Sequence, residues 1–122
     1  MANELTVSLN IAFDKNATKA TKIQSGKKFT VSGNKFASII QGIGTAAEQI
    51  NKGDVAAANL GFCYFFNMDA ANTIHIRPGA AGADFLDIKA QEFIWVRITP
   101  SVDLYAIADN AEALLEGLIF NN

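Results

Sequence analysis

Cysteine and histidine each occur once among the 122 residues, and proline and methionine twice each. A single cysteine excludes an intrachain disulfide framework and any cysteine-rich zinc site, and a single histidine excludes the commoner multi-histidine metal centres. No metal or other cofactor is therefore expected. Charge is also sparse: 18% of residues are charged and the formal net charge is -2, which argues against a general nucleic-acid binder. No apolar run approaches the roughly 20 residues of a membrane span, and the start, Met1-Ala2-Asn3-Glu4, lacks the basic region of a signal peptide. The expectation is a compact soluble domain, made in a reducing compartment, with no membrane partner. Half of the residues are hydrophobic, enough for one chain of this length to bury an ordinary core.

The charge that is present is unevenly placed. Residues 1–61 carry seven lysines against four acids, and residues 62–122 carry Arg77, Lys89 and Arg97 against eight acids. The positive charge concentrates at Lys15, Lys19, Lys22, Lys27, Lys28 and Lys35, with only Asp14 opposing. Such a stretch reads either as a solvated loop or edge, where lysines discourage unwanted strand pairing, or as a docking surface for an acidic partner.

Hydrophobic periodicity points to strands throughout. Leu5, Val7, Leu9, Ile11 and Phe13 alternate with polar or small residues, the period of a half-buried strand. Residues 14–26 are polar and read as a loop, with room for a short edge strand around 20–23, and Phe29-Thr30-Val31 reads as a short strand. Residues 36–50 have some helical spacing, but Gly42 and Gly44 favour extended structure. The unbroken apolar run Leu60–Phe66 implies a central strand covered on both faces. Asn67-Met68-Asp69-Ala70-Ala71-Asn72 reads as a turn held by side chain to backbone hydrogen bonds. Strands follow over 73–77, 85–88, 93–99 and 104–108, with 85–88 and 93–99 joined as a hairpin across 89–92, Pro100-Ser101 ending the second of them, and a last strand over 113–120. Eight or so short antiparallel strands with a turn every 8 to 12 residues predict an all-β sandwich of jelly-roll type, one domain over 1–122.

Several elements in fixed order carry a resemblance: the Lys52-Gly53-Asp54 turn, Gly61 opening an aromatic strand, Asn67-Met68-Asp69-Ala70-Ala71-Asn72 leading into Thr73-Ile74-His75-Ile76, then Lys89-Ala90-Gln91-Glu92, the strand to Arg97 and Pro100, and Tyr105-Ala106-Ile107-Ala108. From 48 to 120 the chain resembles the small β-sandwich structural proteins of tailed-bacteriophage virions, the group used as capsid decoration (cement) or accessory proteins. The family pattern usually has Gly where Gln91 stands. The resemblance implies a non-enzymatic virion protein, assembled in the host cytoplasm, often trimeric, that binds the major capsid protein or another virion protein and stabilises the shell. Residues 1–47 form an N-terminal segment outside the resemblance. The six lysines and the strand before them are the expected partner-binding surface.

Sharper readings of single residues compete with plainer ones. His75 as a general base lacks a nucleophile and orienting acid at any recognisable spacing, so it reads as a solvated or interface histidine. Cys63 lies in the apolar run and reads as a small buried hydrophobe. Asp84, Asp87, Asp103 and Asp109 lack the Asp-x-Asp-x-Asp-Gly loop of a calcium site and read as loop acids. Phe93, Trp95 and Arg97 share one strand face and suit either packing inside the sandwich or an exposed strip that stacks on a glycan, as in a tail or fibre module. A hydrolase or isomerase on this scaffold would need converging acids that the spacing does not supply.

Overall fold

The structure, a computed structural model, describes residues 4–100 and 102–122; Met1-Ala2-Asn3 and Ser101 lie outside them. Two compact units divide the chain, one ending at Ser32 and the other running from Gly33 to Asn122.

The first unit is a β-hairpin. Strands β1 (Leu5–Lys15) and β2 (Thr18–Phe29) pair antiparallel along their whole length, about 35 Å at the usual strand rise. Asn16 and Ala17 form the two-residue connection, both at positive φ (51° and 66°), the backbone of a type I′ turn. A bulge interrupts the ladder where Ser25 and Gly26 oppose Ser8 alone; Gly26 takes a left-handed φ of 58°, and its N–H donates to the Ser8 hydroxyl at 2.9 Å. At the base of the hairpin the Val31 N–H donates to a Glu4 carboxylate oxygen. The loop expected over 14–26 is thus mostly strand. Composition is the reason it reads as a loop: residues 18–24 put mostly polar side chains on both faces, Lys22 and Gln24 on one and Lys19 and Thr21 on the other, and the bulge then shifts the register by one residue. The short strand expected at 29–31 is only the end of β2. Strand β1 exists as expected but is half-buried only at Leu5 and Val7: Leu9, Ile11 and Phe13 are exposed, and among the described residues β1 pairs with β2 alone.

The second unit is a sandwich of two four-stranded antiparallel sheets. Its strands are β3 (Phe36–Ile43), β4 (Glu48–Gln49), β5 (Leu60–Asn67), β6 (Ile74–Arg77), β7 (Leu86–Ile88), β8 (Phe93–Arg97), β9 (Tyr105–Ala108) and β10 (Ala113–Asn121). One sheet has the order β3-β10-β5-β8 and the other β4-β9-β6-β7. The pairs β3 with β10, β4 with β9, β5 with β8 and β6 with β7 are nested like one long hairpin folded over on itself, which is the strand order of a jelly roll. The segment 36–50 is extended, as the two glycines suggested. Residues 89–92, expected to join a hairpin, instead carry the chain from β7 in one sheet to β8 in the other.

Alternation along each strand builds the core. Ile43, Cys63, Phe65, Leu115 and Ile119 from one sheet meet Ile74, Ile76, Ile88, Ala106 and Ala108 from the other in one contiguous buried cluster. Full burial of each larger side chain is worth about 1.5–3 kcal/mol. Two close backbone arrangements complete the frame. Gly61 lies where the chain end crosses β5, and a Cβ there would come within 2.7 Å of the Asn121 carbonyl oxygen. Gln91 is left-handed (φ 65°) at the third position of the 89–92 turn, where a type II turn favours glycine. Its side-chain amide offsets the strain by donating to the carbonyls of Met68 and Asp69, at 2.9 and 3.1 Å.

Candidate functional site

The hairpin gathers five of the six expected lysines and leaves the sixth out. Residues opposite one another on paired strands share a face, so Lys22 (opposite Ile11) and Lys27 (opposite Val7) lie on the face of the apolar stripe Val7, Leu9, Ile11 and Phe13, as does Lys15. Lys19 and Lys28, opposite Asp14 and Thr6, lie on the reverse face. Lys35 is exposed outside the hairpin, just before β3. Of these six lysines only Lys19 has an acidic partner among the described residues, Asp14 across the ladder at 3.7 Å, an exposed pair worth little in water. One face of the ribbon is therefore both greasy and cationic.

Of the four acids considered for calcium, Asp84 and Asp87 meet at His75, and Asp103 and Asp109 have partners elsewhere. Asp84 binds Arg77 through Nε (2.7 Å) and Nη2 (2.6 Å). Asp87 accepts the His75 Nδ1 proton across β6 and β7 at 2.7 Å, with Asp84 Oδ2 at 3.8 Å from the same nitrogen. Asp103 pairs with Lys52 at 3.2 Å, and Asp109 accepts from the backbone N–H groups of Thr73 and Asn110. His75 does have an orienting acid, Asp87, that its sequence neighbours did not reveal: cross-strand register supplies it. The Cys63 thiol is pushed up to about 12 by burial, which leaves it a protonated hydrophobe at neutral pH.

The loop after β5 is built on Asn67, the one polar residue in the buried core among the described residues. Its amide donates to the carbonyls of Asn72 (2.7 Å) and Ile88 (2.8 Å), and its carbonyl accepts from the Asp69 N–H (2.9 Å). Asp69 in turn accepts from Ala71 and Asn72, as the turn reading required, and those two backbone donors hold its carboxyl below the usual value.

A surface that the sequence indicated only in part, as the alternative of an exposed strip at Phe93, Trp95 and Arg97, lies on the outer side of the sheet β3-β10-β5-β8. Phe62, Tyr64 and Phe66 of β5 point outward opposite Arg97, Trp95 and Phe93 of β8, while Cys63 and Phe65 point into the core. Phe93, Trp95 and Arg97 therefore do not pack between the two sheets. Phe36 and Ile40 of β3 and Leu114, Leu118 and Phe120 of β10 extend the same face. Phe62 and Trp95 stack at 4.8 Å and 9°, the Arg97 guanidinium sits 4.2 Å above the Phe62 ring, and Phe120 bridges Trp95 and Phe36. Tyr64 donates to Glu116 at 3.3 Å; burial first, and then the Glu116 charge, push its hydroxyl pKa up. The outward face of an antiparallel sandwich is ordinarily polar. Here Phe36, Ile40, Phe93 and Leu114 remain 60%, 63%, 58% and 45% exposed. The apolar run 60–66 is thus central in its sheet, as expected, but the sandwich covers it on one side only.

No family model, curated protein or solved structure matches the chain.

Proposed function

We propose that this protein is a non-enzymatic structural module that docks on the surface of another protein, as the decoration proteins of tailed-phage capsids dock on the major capsid protein, with the hairpin as its docking arm. The observation that carries the reading is the face bearing Leu9, Ile11 and Phe13 beside Lys15, Lys22 and Lys27. A lone two-stranded ribbon is at best marginally stable in water, and a partner that covers this stripe supplies what it lacks. Burying the remaining exposed parts of those three side chains is worth on the order of 2–4 kcal/mol. The lysines favour an acidic partner and speed the encounter. Several such arms on one particle would add modest contacts into firm attachment. The jelly-roll order is compatible with this reading and does not by itself select it, since sugar-binding domains use the same architecture.

Binding to phage shells stripped of their accessory proteins tests the proposal. Occupancy is expected to fall as salt rises, and Lys22→Glu with Lys27→Glu is expected to weaken it more than Lys19→Glu with Lys28→Glu, because only the first pair borders the apolar stripe. Equal rebinding in low and high salt, or equal loss from both pairs, would defeat the assignment of this face. The stacked Phe62 and Trp95 rings favour a second reading, a glycan-binding tail module; oligosaccharide binding on an array, lost in Trp95→Ala, would support it.

A further inference from the structure

We propose that the outer face of the sheet β3-β10-β5-β8 is a self-association surface, whose occupant is the same face of a second copy of this chain. The inference stands apart from the docking reading, since it concerns the sandwich and not the hairpin.

Area is the first argument. With about 150–250 Å² on a whole aromatic side chain, the exposed portions of Phe36, Ile40, Phe93 and Leu114 amount to roughly 400 Å². The half-buried rings between them bring the face to roughly 600 Å² of apolar surface, the top of the range for the largest patch on an ordinary monomer, where such patches are often functional. Two such faces together reach roughly 1,200 Å², the lower bound of a specific interface. Composition agrees, because buried interface centres are rich in Trp, Tyr, Phe and Arg.

Charge selects a second copy as the occupant. Residues 33–122 carry five cations against ten acids, so two sandwiches approaching through an average surface would repel. Glu112, just before β10, lies at the edge of this face with its carboxylate over Gly42, and within the face the strands place only Arg97 and Glu116 outward among charged residues. Both are engaged within the chain, Arg97 by the Phe62 ring and by Asn122 Oδ1 at 2.6 Å, and Glu116 by Tyr64. The centre of the face is electrically neutral on an otherwise acidic body, with Glu112 only at its edge, so it can meet its own copy there without juxtaposing like charges. A patch that meets itself is isologous and closes at two chains, in place of the three-fold association that the family resemblance implies.

Light scattering on the eluting full-length protein, over a range of concentrations, tests the proposal. The expected mass is twice that of the 13.1 kDa chain, with Trp95 emission shifting to the red on dilution as the pair separates. Ile40→Lys and Phe93→Lys, at side chains already more than half exposed, are expected to raise the dissociation constant at least about 30-fold while the circular dichroism spectrum is retained. Lys22→Glu with Lys27→Glu, on the hairpin, is expected to leave the mass unchanged, which separates failure of this inference from failure of the docking arm. If either face variant misfolds, the dilution series on the native protein decides alone. A single-chain mass at about 100 μM, a three-chain mass, or a two-chain mass that neither folded face variant lowers would overturn the proposal.

Discussion

Replacing Asn67 tests whether one buried amide holds the end of the sandwich together. Its side chain makes three hydrogen bonds to backbone groups of two segments, the loop 69–72 and the end of β7, and it is fully buried. Asn67→Ala removes all three partners and leaves two carbonyls and one N–H to find water or remain bare. At about 1 kcal/mol net for each bond, and more for each group left dry, the expected loss is about 3–5 kcal/mol. That is a large share of the roughly 5–15 kcal/mol of an ordinary domain, and it corresponds to a fall in Tm of at least about 12 °C. Asn67→Asp is the sharper probe, because it keeps the shape and replaces the amide donor with an oxygen facing the carbonyls of Asn72 and Ile88. Ionisation there is opposed by burial and by both carbonyls, so the new carboxyl has a raised pKa in the folded state. A carboxyl whose folded pKa is raised destabilises increasingly as pH climbs above its unfolded value of about 3.9. The deficit of Asn67→Asp relative to the native protein should therefore be smallest near pH 3–4 and grow toward pH 7. Urea unfolding followed by Trp95 fluorescence, at several pH values, reads both effects. A loss below about 1 kcal/mol for Asn67→Ala, or a pH-independent deficit for Asn67→Asp, would refute the reasoning.

Other consequences are equally direct. Ala17→Gly should stabilise the hairpin by about 1 kcal/mol, because Ala17 occupies a left-handed position that glycine adopts freely; slower amide exchange along β1 and β2 is the readout. Gly61→Ala should cost about 1–3 kcal/mol in chemical denaturation, since the added methyl meets the backbone of Asn121 and Asn122 at 2.7 Å. Cys63, its thiol held to about 12, should resist iodoacetamide at pH 8 in the native protein and react promptly in urea; fast native labelling would contradict its burial.

Strand periodicity and turn chemistry made much of the sandwich legible. The Asn67–Asn72 turn is held by the Asx hydrogen bonds its composition announced, and Ile74 and Ile76 alternate into the core as their spacing required. Strand β2 was legible only as a short edge strand around 20–23, because its stripe face carries Ala20, Lys22 and Gln24 before the bulge, with no apolar alternation, and Lys27 and Phe29 after it. The His75–Asp87 pair was hidden because its partners are neighbours only across a ladder, twelve residues apart in sequence.

By itself the sequence determined that the chain makes short antiparallel strands around one apolar core, since a period of two, punctuated by Asn, Asp, Gly and Pro, permits little else. It also determined where positive charge collects along the chain. Tertiary structure alone decided which side of the aromatic run faces inward. Leu60–Phe66 is apolar on both sides, so local pattern cannot choose; the choice falls to the second sheet, which can cover only one. The rings left outside owe their exposure to that geometry, and the bulge decides that Lys27, and not Lys28, joins Lys22 on the stripe face.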